Sequence, residues 1–334
     1  MKFSSPYQNK TFKSIWLEHF PPEGELLAQE FITGVEFCKS RTALLWTNVG
    51  GTNTKGVSYG VNPKGALEPL KNKVLLINDV PDLHAPEARS VHGFRFKKVP
   101  QYPGFFCDFG VCTTLEDYMA EQISKRTSSK LRNYRNRLHR DHKIAYRMVW
   151  GDISVEEYET LFEQFHSLLH KRFEDKQIVN NNLDPSEWQF YKAVTFPMLK
   201  DKEAGMFVTY VEDRPVAITL LNFSGDRAFD VIRVFDIAFS KYRIGTLSLM
   251  EQIAWCIGNN FKILDFSKGF YEYKKQWSNS SYMFEYHIWY DSRNLKSNLL
   301  ARTLALKFIL KFWARKYNLQ ETVHKIRYRF RPKS

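Results

Sequence analysis

Short apolar runs bounded by turn residues mark three consecutive strands in the second half of the chain. The runs span residues 205–211, 216–223 and 228–235. Pro215 stands in the first connection and Gly225 in the second, and both residue types are common in tight turns. Connections this short join antiparallel neighbours, so the sequence predicts three antiparallel strands in succession.

A different pattern follows these strands. From Gly245 to Asn260, apolar residues cover most of a helix surface, which predicts a buried helix. Residues 261–266 then form a strand-length apolar block, which Ser267 and Gly269 interrupt. A strand, a buried helix and a second strand make an α/β crossover, so we expect the last two strands to be parallel.

Helix signals precede this region. Thr114 stands before two acidic residues and is a good helix cap. The helix that it starts is expected to pause near residues 127–129 and to restart at Lys130, which begins an arginine-rich segment. Further helices are expected at 155–170, 185–199 and 295–317.

The N-terminal part reads as short strands, and the chain length favours two domains. Strand candidates lie at 42–49, 74–78, 94–99 and 105–111. A chain of 334 residues is long for one hydrophobic core. We therefore predict an α/β (α+β) fold with two units in tandem, 1–142 and 143–334, each a mixed, mostly antiparallel sheet flanked by helices.

Positive charge is concentrated in two segments of the chain. Residues 125–143 carry eight Lys or Arg against the single Asp141, and residues 295–334 carry eleven against the single Glu321. The formal net charge of +13 therefore reflects two basic surfaces, because the rest of the chain is slightly acidic. Such surfaces suit an anionic ligand, RNA or an anionic membrane.

One motif resembles a known family. An apolar strand ends in Asp265 and Phe266, then come Gly269, the pair Tyr273-Lys274 and an aromatic residue at Trp277, all preceded by the helix that begins at Gly245. This arrangement, from about Leu115 to Tyr290, resembles the GNAT acyltransferases, in particular the cellulose-biosynthesis CelD-like branch, which is related to the FemAB aminoacyl transferases. The resemblance implies that both units are GNAT-like.

The resemblance also implies an activity: transfer of an acyl group from acetyl-CoA or another acyl-CoA to an amine on a sugar, lipid or amino acid, by direct attack. A helix N-terminus can hold the pyrophosphate of such a donor. Arg243, Gly245 and Thr246 lie at such a terminus, and Gly269 lies in the second loop. The usual family loop is richer in glycine, so aminoacyl-tRNA is the alternative donor, and a glycine that only allows close helix packing is the structural alternative.

Three residues are the candidate catalytic groups. Asp236, which ends the third strand, is expected to accept the proton of the amine, with Asp230, Glu272 and His287 as rivals. Tyr273 is expected to protonate the leaving thiolate, and Lys274 to contact a phosphate, a substrate carboxylate or the developing oxyanion. The alternatives are a strand-end Asp that bonds a turn and an exposed Lys beside a core Tyr.

Other features limit the function classes. His166 and His170 lack the glutamate of a metalloprotease motif, and no metal cofactor is expected. The four cysteines are scattered, which is typical of reduced thiols, and no secretory signal or apolar run of eighteen residues occurs, so we expect a cytoplasmic protein. Peripheral contact with an anionic membrane through 295–331 and a non-catalytic membrane or RNA adaptor remain further alternatives.

Overall fold

The computed structural model describes residues 5–86, 91, 93–177 and 180–317. They divide into two compact units. Unit 1 consists of the described residues within Met1–Gly104, Lys268–Phe270 and Ser281–Gln320, and unit 2 of those within Phe105–Ser267 and Tyr271–Ser280.

Unit 1 is built on a mixed sheet. Its elements are α1 (Lys10–His19), β1 (Ile32–Thr33), β2 (Phe37–Lys39), β3 (Leu45–Asn48), β4 (Gly60–Val61), β5 (Val74–Pro81), the first part of β6 (Phe94–Asp108), and later β12 (Ser280–Asp291) and α8 (Leu295–Lys316). The strand order is β2-β3-β5-β12-β6. The β3 and β5 strands are parallel, whereas β5 and β12 are antiparallel.

The sheet of unit 1 is covered on two faces. On one face an aromatic cluster includes Phe31, Phe94 and Trp289. On the other face α8 packs through Ala301, Leu304 and Phe308. The β5 strand is buried along its whole length, which is expected for a strand with helix or loop on both sides.

Unit 2 contains the remaining elements, which are α2 (Leu115–Gln122), α3 (Lys125–Asp141), β7 (Ile144–Val149), α4 (Val155–Lys176), α5 (Pro185–Lys200), β8 (Ala204–Val211), β9 (Arg214–Ser224), β10 (Arg227–Phe235), α6 (Ile244–Gly258), β11 (Ile263–Lys268) and α7 (Glu272–Trp277). The order of its strands is β11-β10-β9-β8-β7, and the end of β6 lies beside β11. The β7 to β10 strands are successively antiparallel, and β10 and β11 are parallel.

The expected fold class is confirmed: unit 2 is a mixed, mostly antiparallel sheet flanked by helices. Helix α6 packs its apolar surface into the core of this unit, together with Tyr118 of α2 and Leu131 and Leu138 of α3. Caps predicted from the sequence are present, since Thr114 and Asp117 form a capping box and Ser154 accepts the N–H of Glu157. Among the described residues, no helix is long and apolar enough to span a membrane.

Several element bounds differ from the predictions. The strands expected at 94–99 and 105–111 are one strand, β6, because the Pro103 and Gly104 segment makes no turn. The carbonyl of Pro103 accepts the N–H of Gly269, and a Cβ on Gly104 would lie 2.3 Å from the Tyr282 ring. The pause before the arginine-rich helix is at Ile123 and Ser124, not near 127–129, because Ser124 caps α3.

The compact units also have other bounds than the predicted 1–142 and 143–334. Helices α2 and α3 are part of unit 2, where their apolar residues join the core around α6. Helix α8 and nearly all of β12 are part of unit 1, because β12 pairs with β5 and α8 packs on the same sheet. The helix-like run expected at Lys325–Arg331 lies outside the described residues.

Candidate active site

Strands β10 and β11 separate after a short paired segment. Their register pairs only Arg227 with Ile263, Ala228 with Leu264 and Phe229 with Asp265, although β10 continues to Phe235. At about 3.3 Å per residue, the six residues after Phe229 extend for roughly 20 Å without a partner on β11. We call the space along this edge of β10 the strand gap.

A β-bulge lies where the strand gap begins. The register between β9 and β10 shifts between Asp230 and Ile232, so Val231 has no partner residue on β9. The pairing with β11 has already ended at Phe229. Val231 therefore has no partner residue on either neighbouring strand, and the regular pairing of β10 is interrupted at this residue.

A buried polar cluster borders the strand gap. Arg233 of β10 donates from Nε and Nη2 to Oδ2 of Asp230, at 3.0 and 2.7 Å, and from Nη2 to Oε1 of Gln252 at 2.7 Å. The side chains of Arg233 and Asp230 are 12% and 5% exposed. Within the described residues, Nη1 of Arg233 and Nε2 of Gln252 are buried without a hydrogen-bond partner. The cluster thus contains buried N–H donors that are free to bind an acceptor.

Tyr273 is close enough to the polar cluster for the charge of Asp230 to affect its pKa. It lies on the short helix α7 and packs against Phe266 of β11, with ring centroids 5.9 Å apart. Burial raises the pKa of Tyr273 well above its usual value, and the charge of Asp230 raises this pKa further. The hydroxyl is therefore protonated near neutral pH, which suits a proton donor and excludes a base.

Lys274 is buried, whereas the expected alternative was an exposed lysine. The residue is 5% exposed. Its Nζ donates to the carbonyl of Phe266 at 2.6 Å and to the carbonyl of Ser267 at 3.4 Å. Oδ1 of Asp265 accepts the N–H of Ser267, whose φ of 58° lies in the left-handed region. Asp265 and Lys274 together fix the end of β11.

Asp236 lies at the other end of the gap-facing strand. It caps the 3-10 helix Ile237–Tyr242, where Oδ1 accepts the N–H of Ala238 at 3.0 Å. Its Oδ2 accepts a hydrogen bond of 3.1 Å from Arg214, a residue whose side chain is 59% exposed. The carboxylate thus makes the turn contact that was the structural alternative, and it retains lone pairs for a further donor.

The residues expected at the donor site surround the start of α6. Arg243 is exposed, has φ of 57° and precedes the helix without a side-chain cap. Thr246 is partly buried, and its N–H bonds to the carbonyl of Arg243. A Cβ on Gly245 would lie 2.6 Å from Cδ1 of Phe235, so this glycine allows close packing of α6 on the end of β10.

The remaining candidates have other surroundings. Gly269 belongs to unit 1, with φ of 132° and its N–H bonded to Pro103. His287 is also in unit 1 and is fully buried between Tyr59 and Glu285. Glu272 is an exposed acid of α7 that pairs with Lys275. Of the predicted residues, Tyr273 is therefore the one whose pKa is affected by the charge of Asp230.

A comparison with protein families matches the part of the chain that contains the strand gap. Residues 125–275 match the family model described as the acetyltransferase (GNAT) domain. This stretch includes β10, α6 and β11, and therefore the whole strand gap. We call this matched stretch the GNAT domain. The predicted class, a GNAT-superfamily acyltransferase, is thereby confirmed, and the CelD-like branch stays a prediction. No curated protein matches the sequence.

Solved structures of similar fold have little sequence identity with this chain. FemX is 11% identical to this chain, the match covers 76% of this chain and 83% of FemX, and the TM-score is 0.51. L-PGS from Bacillus licheniformis is 11% identical, the match covers 90% of this chain and 98% of the L-PGS chain, and the TM-score is 0.50. A domain assigned to a lysylphosphatidylglycerol synthetase from Agrobacterium fabrum is 9% identical, with 87% and 91% covered and a TM-score of 0.50. At such identities the likeness concerns the fold.

Two features of the candidate site are not among the residues predicted from the sequence. Arg233 and Gln252 were not candidates, although a charged residue inside an apolar strand is a usable signal. The bulge at Val231 has no sequence signal, because it arises from pairing. Within the described residues, no cluster of three or more metal-ligating side chains occurs. His166 and His170 instead pack near Trp188, and the His166 ring stacks on it at 4.7 Å.

The arginine-rich helix α3 of the GNAT domain divides into paired and unpaired cations. Arg135 pairs with Glu251 at 3.1 Å, and Arg137 lies 5.0 Å from the ring of Tyr242. The N-terminal cations are exposed and have no ion pair with any described residue, namely Lys125, Arg126, Lys130 and Arg132. This end of α3 is available to an anionic partner.

Proposed function

We propose that the chain is an N-acyltransferase that moves an acyl group from an acyl-CoA thioester to an amine by direct attack. The observation that carries the proposal is the strand gap within residues matched to the GNAT domain. A parallel strand pair that opens along one edge offers unpaired main-chain donors to an extended ligand. The acyl donor would lie along β10, with its phosphates near Arg243 and the start of α6.

The main chain at the bulge would stabilise the transition state. Attack by an amine on a thioester places negative charge on the former carbonyl oxygen. The N–H of Val231, a residue without a partner at the bulge, is the donor that we assign to this oxygen. Arg233, held by Asp230 and Gln252, would add positive potential in a site from which water is largely excluded.

Proton transfers would then be divided between two groups. Tyr273, whose hydroxyl is protonated near neutral pH, would give its proton to the thiolate as the C–S bond breaks, and would regain a proton from solvent afterwards. Asp236 would take the proton of the amine through a water molecule. Asp230 is the weaker candidate base, because Arg233 holds it from two nitrogens in a buried pair, whereas Arg214 makes one largely exposed contact with Asp236.

The test is a thermal-shift and isothermal-titration series with acyl-CoA esters of increasing chain length. We expect saturable binding, and a Kd raised about tenfold when Arg243 is replaced by Ala, since one charge-assisted contact to phosphate is lost. Lys262→Ala is the matched control, because this exposed cation precedes the paired end of β11. Absence of binding to every ester would refute the acyl-CoA proposal.

A second donor, aminoacyl-tRNA, is favoured by the unpaired cations of α3 and by the single glycine at the start of α6. Charged tRNA should then bind with a steep salt dependence. Replacing Arg126, Lys130 and Arg132 by Gln should reduce the slope of log Kd against log salt by about 2–3. A control set with Lys171, Lys200 and Lys262 replaced should keep the slope. Equal effects of both sets would rule out a specific tRNA surface.

We also propose a cytoplasmic protein that touches anionic membranes through α8. The exposed apolar residues of this helix are Leu295, Leu299, Leu306, Ile309, Leu310, Trp313 and Tyr317. The helix contains six Lys or Arg and no acidic residue, which complements an anionic lipid surface. Vesicles containing phosphatidylglycerol should sediment the protein, and Leu306→Asp with Leu310→Asp should abolish this. Binding that persists in the double variant would contradict the assignment.

A further inference from the structure

Unit 1 contains a charged cluster that the acyltransferase proposal does not use. The cluster consists of Asp79 on β5, Lys268 at the end of β11, and Lys311 and Arg315 on α8. All four residues belong to unit 1. The cluster is linked by hydrogen bonds, because Arg315 donates to the carbonyl of Gln101, whose amide donates to Asp79, which in turn accepts from Lys268.

Asp79 accepts hydrogen bonds from three side chains. It is fully buried and has φ of 58°. Its Oδ2 accepts from Nζ of Lys268 at 2.6 Å and from the hydroxyl of Thr54 at 2.8 Å, and its Oδ1 accepts from Gln101 at 2.7 Å. This single carboxylate therefore pairs with Lys268, and neither Lys311 nor Arg315 forms an ion pair with a carboxylate of the described residues.

Arg315 is buried without a carboxylate partner among the described residues. It is 6% exposed, its guanidinium lies 3.7 Å from the centroid of the Tyr102 ring, and Nη1 donates to Gln101 at 3.1 Å. Its Nε is buried and has no acceptor in the described part of the chain. A guanidinium that is buried with a free N–H carries an electrostatic cost that an anion would relieve.

Lys311 lies one turn before Arg315, on the side of α8 that also carries the packed Phe308. It makes no ion pair with any described residue, and it stays open to solvent. Partial burial, together with the charges of Arg315, Lys307 and Lys268, lowers the pKa of Lys311 to about 8. Partial burial and the neighbouring cations thus both disfavour the charged form of this ammonium group.

We propose that this cluster binds a phosphate-type dianion, which Nζ of Lys311 would contact and which the charge of the buried Arg315 guanidinium would attract. Three cations against one carboxylate leave two positive charges, which a dianion neutralises. Guanidinium and ammonium donors are the groups that proteins use most for phosphate. The inference concerns unit 1 alone and does not depend on the acyltransferase proposal, so either can fail without the other.

The experiment measures sulfate binding, because sulfate is a dianion that does not titrate near pH 8. Isothermal titration at constant ionic strength should show one saturable site, and Lys311→Ala should weaken it about tenfold, as for loss of one charge-assisted bond. Arg315→Gln should weaken it similarly, and circular dichroism checks that this variant folds. Lys296→Ala, an exposed cation on the same helix, is the matched control and should change nothing.

A second readout separates the site from general salt effects. Because an anion raises the pKa of Lys311, sulfate binding at pH 8 should take up protons, seen as a dependence of the heat on buffer ionisation enthalpy. The Lys311→Ala variant should show no uptake. Sulfate stabilisation that is equal in wild type and Lys311→Ala would reflect surface exclusion and would overturn the proposal.

Competition then identifies the source of the dianion. Glycerol 3-phosphate should displace sulfate if the natural ligand is a soluble phosphomonoester, and vesicles containing phosphatidate should do so if it is a lipid headgroup. Displacement by either supports the site, provided that Lys311→Ala weakens it. If neither competes with sulfate, a phosphate-type ligand is refuted.

Discussion

The contact between Gly245 and Phe235 gives a prediction that separates packing from donor binding. A Cβ at position 245 would lie 2.6 Å from Cδ1 and 2.8 Å from Cε1 of the Phe235 ring, about 1 Å closer than normal carbon contacts. Overlap of this size costs about 1–3 kcal/mol. Alanine is the better helix former by up to about 1 kcal/mol, so we expect Gly245→Ala to destabilise by about 1–2 kcal/mol.

A double-mutant cycle with Phe235→Leu measures the contact. Leucine removes the ring edge, so Gly245→Ala should cost little in that background, and the coupling free energy should be about 1 kcal/mol. Urea unfolding followed by fluorescence and circular dichroism gives the values, and the thermal midpoint of Gly245→Ala should fall by about 2–4 °C per kcal/mol. Acyl-CoA binding is measured in parallel on the same four proteins.

The outcomes discriminate two roles of Gly245. Because the Cβ position of Gly245 is directed at Phe235, we expect Gly245→Ala to weaken acyl-CoA binding only by disturbing this packing. Binding should therefore recover in the double variant together with stability. A double variant that is stable but does not bind would show that the glycine faces the donor, which would refute our reasoning. A Gly245→Ala protein of unchanged stability would show that the close contact does not exist.

Three further predictions follow from the two units. Tyr273→Phe should lower kcat about a hundredfold with little change in KM, as measured by steady-state kinetics, because a proton donor acts only in the transition state; an unchanged kcat would exclude the role. Arg233→Met should destabilise by about 3–5 kcal/mol in urea unfolding because it leaves Asp230 buried and unpaired, and adding Asp230→Asn should recover much of the loss; equal stability of the single and double variants would contradict this. Burial lowers the pKa of His287, so the unfolded chain binds a proton more readily than the folded chain. The contribution of neutral His287 to stability is therefore complete above the unfolded pKa of about 6.5 and is lost as the pH falls below it. The variant His287→Asn should flatten this part of the plot of urea midpoint against pH.

The sequence predicted the elements of the GNAT domain because their signals are local. The antiparallel strands β8 to β10 have strong apolar runs and short turns, and α6 has an apolar surface on nearly all sides. The motif around Tyr273 and Lys274 lies within the stretch that matches the family model. Local patterns also gave the caps at Thr114 and Ser154, since a cap and its helix are neighbours in sequence.

The unit bounds and the exact site could not be read in the same way. The strand gap depends on where the pairing of β10 with β11 stops, which is a long-range property. The burial of Lys274 depends on the carbonyls at the end of β11, and the choice between Asp230 and Asp236 depends on which arginine pairs with each. The partner of β12 lies some two hundred residues earlier in the chain, and no local signal reports it.

The order of the two units along the chain has a consequence for protein engineering. Apart from three residues, the described part of unit 2 is one uninterrupted stretch, 105–280, whereas unit 1 is encoded on both sides of it. A gene fragment for 105–280 can therefore be expressed alone, but a cut between 142 and 143 would deprive each product of strands or helices that belong to its own core. The arrangement is what results when one coding segment is placed inside another, and it offers the two junctions as sites for grafting related domains.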